Sequence, residues 1–95
     1  MRLSFRIYGK VQGIGFRWFV KERAASRRIS GWVRNAADGA VEGEAQGAVP
    51  DIDVFLKDIK TGHPLASVSE IDSQEMLDVD GGEAFKIEPS ECVGT

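Results

Sequence analysis

Ninety-five residues with a net charge of −3, 42% hydrophobic and 28% charged, describe one globular domain, long enough for a single core and too short for two. No apolar run approaches the ~18 residues of a membrane span, and the opening MRLSFRIYG carries arginines where a secretory signal needs an apolar block. A single cysteine, Cys92, and a single histidine, His63, exclude an internal disulfide and a zinc site and fit a reducing cytoplasm.

Leu3, Phe5 and Ile7 alternate with Arg2, Ser4, Arg6 and Tyr8, the period of two of a half-buried strand. The glycine-rich GKVQGIGFR, residues 9–17, interrupts it. Phe16, Val20 and Ala24, joined by Phe19, follow helical spacing, which predicts a helix from Phe16 or Arg17 to about Arg28. SGWVRN (30–35) and AVEGEAQG (40–47) read as two strands, and the Asp-Gly between them predicts a hairpin. Ile52, Phe55, Leu56 and Ile59 then fall at i, i+3, i+4 and i+7, one apolar helical face. Pro50 suits the first turn of this second helix, Asp51 and Asp53 its positive end, and Lys57 and Lys60 its negative end. Gly62 suits the cap and Pro64 stops the helix. Val68 and Ile71 are out of phase for one flat strand, predicting a bulge or bend in SVSEIDSQEM. VDGGE turns the chain, Phe85 and Ile87 alternate in a short last strand, and SECVGT reads as a loose end. The domain is therefore placed at residues 1–90, with a tail at 91–95.

The order is β-α-β-β-α-β with one short extra strand. It predicts an α+β, ferredoxin-like sandwich, an antiparallel sheet carrying two helices on one face. That plan hosts many activities and decides none. Charge adds a clue. Residues 1–35 hold nine Lys and Arg against one acid, a net of +8, while residues 36–95 hold three lysines against fourteen acids, a net of −11. The split points either to an anion-handling half or to two halves that neutralise each other on folding.

Gly9, Gly13 and Gly15 permit left-handed or tightly curved backbone ahead of the first helix. A loop curled this way turns successive N–H groups inward, and the helix start adds unpaired donors and partial positive charge. Arg17 stands at the mouth, able to offer a phosphate two charge-assisted hydrogen bonds. Spacing alone leaves a purely geometric strand-to-helix connection open. The P-loop ending Gly-Lys-Ser/Thr is absent, and Trp18 occupies the third-glycine place of a dinucleotide fingerprint.

GKVQGIGFR followed by GWVRNAADGAVEGEAQG resembles the paired signature of the acylphosphatase family over about Leu3 to Ile87. The resemblance implies hydrolysis of an acyl phosphate to a carboxylate and inorganic phosphate. It further implies phosphate binding by Arg17 with the backbone N–H groups of the loop Val11, Gln12, Gly13, Ile14, Gly15 and Phe16, and a water held by Asn35. Gly31, Trp32, Asp38 and Gly39 take structural places in the same motifs. The implied partners are a small acyl phosphate and phosphate or sulfate as competitors. Neither nucleic acid nor membrane is expected, nor a cofactor or metal, and a monomer is the expected state. By its residues alone Asn35 is a turn residue at a strand end, His63 a solvent-exposed spectator, and Trp18 and Trp32 packing residues.

One departure stands out. The family's first helix commonly ends in a Leu-Gly-Leu-like segment, and here the run is Arg27-Arg28-Ile29, so Arg28 stands where a left-handed glycine cap is expected and either costs ~1 kcal/mol there or caps the helix differently. Two other classes are weighed. An RNA-recognition module shares the order of elements, and GIGFRWFV faintly echoes its aromatic strand, but these phenylalanines follow helical spacing. A phosphate-binding regulatory module of the same fold also begins a larger carbamoyltransferase of hydrogenase maturation.

Overall fold

The computed structural model describes residues 1–80 and 84–91. The chain runs β1 (Arg2–Lys10), α1 (Phe16–Ser26), β2 (Ser30–Asn35), β3 (Val41–Gln46), α2 (Val49–Thr61), β4 (Ser67–Met76) and β5 (Lys86–Ile87). The strands lie in the order β4-β1-β3-β2-β5. β1 pairs antiparallel with β3 and β4, and β2 antiparallel with β3. The two-residue β5 joins β2 in parallel, so the sheet is mixed at that edge. Residues 81–83 of the expected VDGGE turn and residues 92–95 of the expected tail, Cys92 among them, lie outside the described residues.

Alternation along β1 sends Leu3, Phe5 and Ile7 into the core beneath both helices, while Ser4, Arg6 and Tyr8 remain half-buried on the uncovered face. The α1 face of Phe16, Val20 and Ala24 and the α2 face of Ile52, Phe55 and Ile59 close over them. Phe55 bridges the layers, its ring centroid 6.0 Å from Phe5 and 6.2 Å from Phe85. Burial of such large apolar side chains supplies most of the folding drive, about 25 cal/mol per Å² removed from water.

The out-of-phase Val68 and Ile71 are reconciled by a bulge. Tyr8 faces Glu70 and Gly9 faces Val68, which leaves Ser69 extra in β4. Both apolar residues then pack against the core from one strand.

α1 ends at Ser26, two residues before the predicted limit. The Ile29 N–H reaches Ala24 O at 2.9 Å, the Arg28 N–H reaches Ala25 O at 3.2 Å, and Arg28 is left-handed at φ 56. These are the paired bonds of a Schellman cap, normally built on glycine. Arg27 reaches Asp51 at 3.3 Å and ties the end of α1 to the start of α2.

The charge split is partly spent inside the fold. Arg2 pairs with Glu44, Arg6 with Asp38 and Glu42, and Arg34 with Glu42, all across the basic and acidic halves. The register sets this up, since Arg6 and Arg34 stand on either side of Glu42 in adjacent strands. Mutual neutralisation therefore accounts for these arginines, and Arg17 is not among them.

Candidate active site

The chain leaves β1 at Lys10 and enters α1 at Phe16 through a loop with Gly13 at φ 79 and Gly15 at φ 75. A Cβ on either glycine would meet nothing within 4 Å. Glycine is required there by the backbone angle and not by crowding. Gly15 is the N-cap of α1, no side chain caps the helix, and no acid stands in its first turn. The first amides of α1 and its partial positive charge are thus left without an internal anion.

Beside this helix start lies a cavity of about 180 Å³. Gly13, Gly15, Arg17 and Asn35 line it, over Val11 and Phe16, which are each 1% exposed, with Trp18 and Ile87 completing the wall. Its size is below the ~300–1,000 Å³ of drug-sized ligand sites and suits a phosphoryl-sized anion. The Arg17 guanidinium reaches Ser90 through one long contact of 3.4 Å and has no carboxylate in ion-pair range among the described residues.

Asn35 ends β2, opposite Val41. Its carbonyl accepts the Glu91 N–H at 2.8 Å, and its side-chain amide has no hydrogen-bond partner among the described residues. An amide left unpaired at a cavity wall is equipped to hold a water, accepting through Oδ1 and donating through Nδ2. The hairpin beyond it is closed by the Ala36 N–H on Ala40 O at 2.8 Å.

Asp38 stiffens this hairpin, its Oδ1 accepting the Ala40 N–H at 3.1 Å while Oδ2 pairs with Arg6. The Ala40 N–H first, and Arg6 second, hold the Asp38 carboxyl below its ordinary range. The same pairing, led by the hydrogen bond to Asp38, raises the Arg6 guanidinium further above its ordinary value.

Two loop residues expected in the cradle by their main-chain N–H groups use their side chains for the fold. Gln12 donates from Nε2 to Ala36 O and Ala40 O, both at 2.9 Å, and so fastens the glycine loop to the hairpin that carries Asn35. Ile14 packs half-buried against the core. Sequence reasoning missed this clamp, and it missed Ser90 and Ile87, which come from the last described segment. The Gln12 clamp has no local signature, because its partners are main-chain carbonyls 24 and 28 residues away.

The expected spectators divide. His63 is half-buried and not solvent-exposed as expected, because its ring packs on Phe16 and Phe19 at 5.8 and 5.3 Å. Its Nδ1 accepts the Leu65 N–H at 3.1 Å, away from the cavity. Trp32 lies on the uncovered sheet face under the Arg34 guanidinium, 5.3 Å from its centroid. Trp18 is 57% exposed and is not the packing residue expected.

A larger hollow of about 500 Å³ occupies the uncovered sheet face, but its Arg6, Arg34 and Glu42 already pair with one another. It offers no glycine loop and no helix start, so the smaller cavity is the candidate site. Phe16 and Phe19 ride on α1 and not on a strand, which removes the aromatic-strand basis of the RNA-recognition comparison. Among the described residues no cluster of three or more His, Cys, Asp or Glu could hold a metal, and no helix is long and apolar enough to cross a membrane.

Comparison with known proteins extends the geometry. The sequence profile for acylphosphatase matches residues 3–87. The acylphosphatase of Bacillus licheniformis is 41% identical over 87 residues, covering 90% of this chain and 97% of that protein. The crystal structure of acylphosphatase from Bacillus subtilis superposes with a TM-score of 0.87 at 36% identity, covering 92% of this chain and 97% of that one. The structure of HypF from T. kodakarensis gives 0.78 at 32% identity, covering 93% of this chain but 12% of its own much longer one. A matching profile, identity of 36–41% and a shared fold over almost the whole length show that the chain belongs to the acylphosphatase family.

Proposed function

We propose that the protein hydrolyses the carboxyl–phosphate bond of small acyl phosphates at the cavity between the α1 start and the end of β2. The phosphoryl group would sit on the amides of the Val11–Phe16 loop and the α1 terminus, with the Arg17 guanidinium across its oxygens. The observation that carries this reading is the pairing of an uncapped helix start, opened by left-handed Gly13 and Gly15, with an arginine lacking an internal carboxylate.

The chemistry asks little more. The leaving group is a carboxylate, stable as an anion, so no strong acid need protonate it. Phosphoryl transfer then depends on positioning and on stabilising charge as it spreads over the phosphate oxygens. Asn35 is no base near neutral pH, but its amide orients a water for in-line attack on phosphorus. The new P–O bond forms as the bond to the acyl oxygen breaks, the carboxylate leaves with the electron pair, and the water's proton passes to a phosphate oxygen. No step calls for a metal. A reducing cytoplasm suits a chain with one cysteine.

Turnover of benzoyl and acetyl phosphate by the purified protein tests the reading. Arg17→Ala should lose phosphate affinity and about 10²–10³-fold in kcat/KM, the scale of removing one oxyanion donor. Asn35→Ala should lose about as much in kcat while inorganic phosphate still competes. Equal loss of phosphate binding in the two variants would refute this division of labour. A parent protein that binds phosphate but turns nothing over would instead support a non-catalytic phosphate-binding module.

A further inference from the structure

We infer that Trp18 and Ile87 form an acyl-binding shelf that selects aromatic and bulky apolar acyl phosphates over acetyl-sized ones, an inference that rests on the hydrolase reading above. The cavity has one polar end, made by Gly13, Gly15 and Arg17, and a buried apolar floor of Val11 and Phe16. A phosphoryl group bound at the polar end directs its acyl substituent along the remaining wall. Beside Asn35, which is assigned to the water, that wall is Trp18, 57% exposed, and Ile87, 37% exposed.

Neither exposure is incidental to packing. Phe16, Val20 and Ala24 define the buried face of α1, and Trp18 projects from another side of the helix, where the core gains nothing from an indole. Lys21, one turn on, sets its ammonium 5.2 Å from the indole centroid, which steadies the ring beside the cavity. Ile87 reaches the same cavity from β5, whose pairing opposite Val33 fixes it at the edge of the sheet. Two apolar groups from distant parts of the chain therefore meet solvent where the substituent of a bound acyl phosphate must lie. A benzoyl ring can cover them, whereas an acetyl group leaves most of that surface wet.

The test is the ratio of kcat/KM for benzoyl phosphate to that for acetyl phosphate, compared between variants so that the intrinsic reactivity of the two anhydrides cancels. Trp18→Ala should lower the ratio roughly three- to tenfold, the worth of one aromatic contact. Ile87→Ala should lower it in the same direction, and Trp18→Phe, which restores an aromatic face, should hold it within about twofold of the parent. Inhibition by benzoylphosphonate, which resists hydrolysis, should weaken with Trp18→Ala by the same factor as the ratio. An unchanged ratio in Trp18→Ala, or a loss shared equally by both substrates, overturns the shelf while leaving the hydrolase reading intact. Failure of the parent to turn over either substrate overturns the hydrolase reading and the shelf with it.

Discussion

Arg28→Gly is a sharp test of how the end of α1 is built. Arg28 is exposed, its side chain makes no hydrogen bond or ion pair among the described residues, and it holds φ 56 so that the Schellman bonds to Ala24 and Ala25 can close. A side chain in left-handed backbone costs about 1–2 kcal/mol. Glycine removes that strain but returns about 0.4–1 kcal/mol through the greater freedom of its unfolded chain. The cap bonds persist in both proteins, so the net expectation is a gain of about 0.5–1 kcal/mol. For a domain of this size that raises Tm by roughly 2–8 °C. Urea unfolding followed by circular dichroism should show a higher midpoint at unchanged slope. Arg28→Ala removes the charge but keeps a Cβ, and it should recover less than half of the gain. A glycine variant no more stable than the parent, or an alanine variant that matches it, would refute the backbone argument.

Gln12→Ala should cost about 1 kcal/mol, the low end for two lost bonds, because Gly39 and Ala36 N–H groups still satisfy the two carbonyls. It should also slow turnover of acetyl phosphate more than it weakens phosphate inhibition, since it frees the hairpin that carries Asn35. Gly15→Ala should lower stability by about 1–2 kcal/mol and Gly15→Asn by less, because asparagine tolerates left-handed backbone; equal losses would point to crowding instead. The depressed Asp38 carboxyl contributes stability that is present above its ordinary value of 3.8 and is lost as pH falls through the lower folded value. The difference in urea midpoint between the parent and Asp38→Asn should therefore hold at pH 6 and shrink below pH 3.8, and a gap that widens in acid would contradict the pairing with Ala40 and Arg6.

Features governed by local periodicity were legible in the sequence. Leu3, Phe5 and Ile7 reveal β1, and Ile52, Phe55, Leu56 and Ile59 reveal α2, because burial on one face repeats at the period of the element. The mismatch of Val68 with Ile71 disclosed the β4 bulge for the same reason. The glycine loop, Arg17 and Asn35 could be named because motif residues cluster within each end of the cavity. What escaped notice was contact between remote segments. Ser90 meets Arg17 across 73 positions, Gln12 reaches past the whole of α1 and β2, and neither leaves a spacing to read. Trp18 was decipherable in principle. Projecting the helix around Phe16, Val20 and Ala24 turns it away from the core, but its size suggested packing.

The pairing of β5 with β2 has a consequence for how the protein is made. Synthesis at about 5–20 residues per second separates the emergence of Arg17 from that of Ser90, 73 positions later, by roughly 4–15 s. During that interval a nascent chain carries the residues of the candidate site without those of its far wall. Completion of the pocket is thus a late event in the life of each molecule, and a protease that trims a handful of residues after Phe85 would undo it while sparing most of the core.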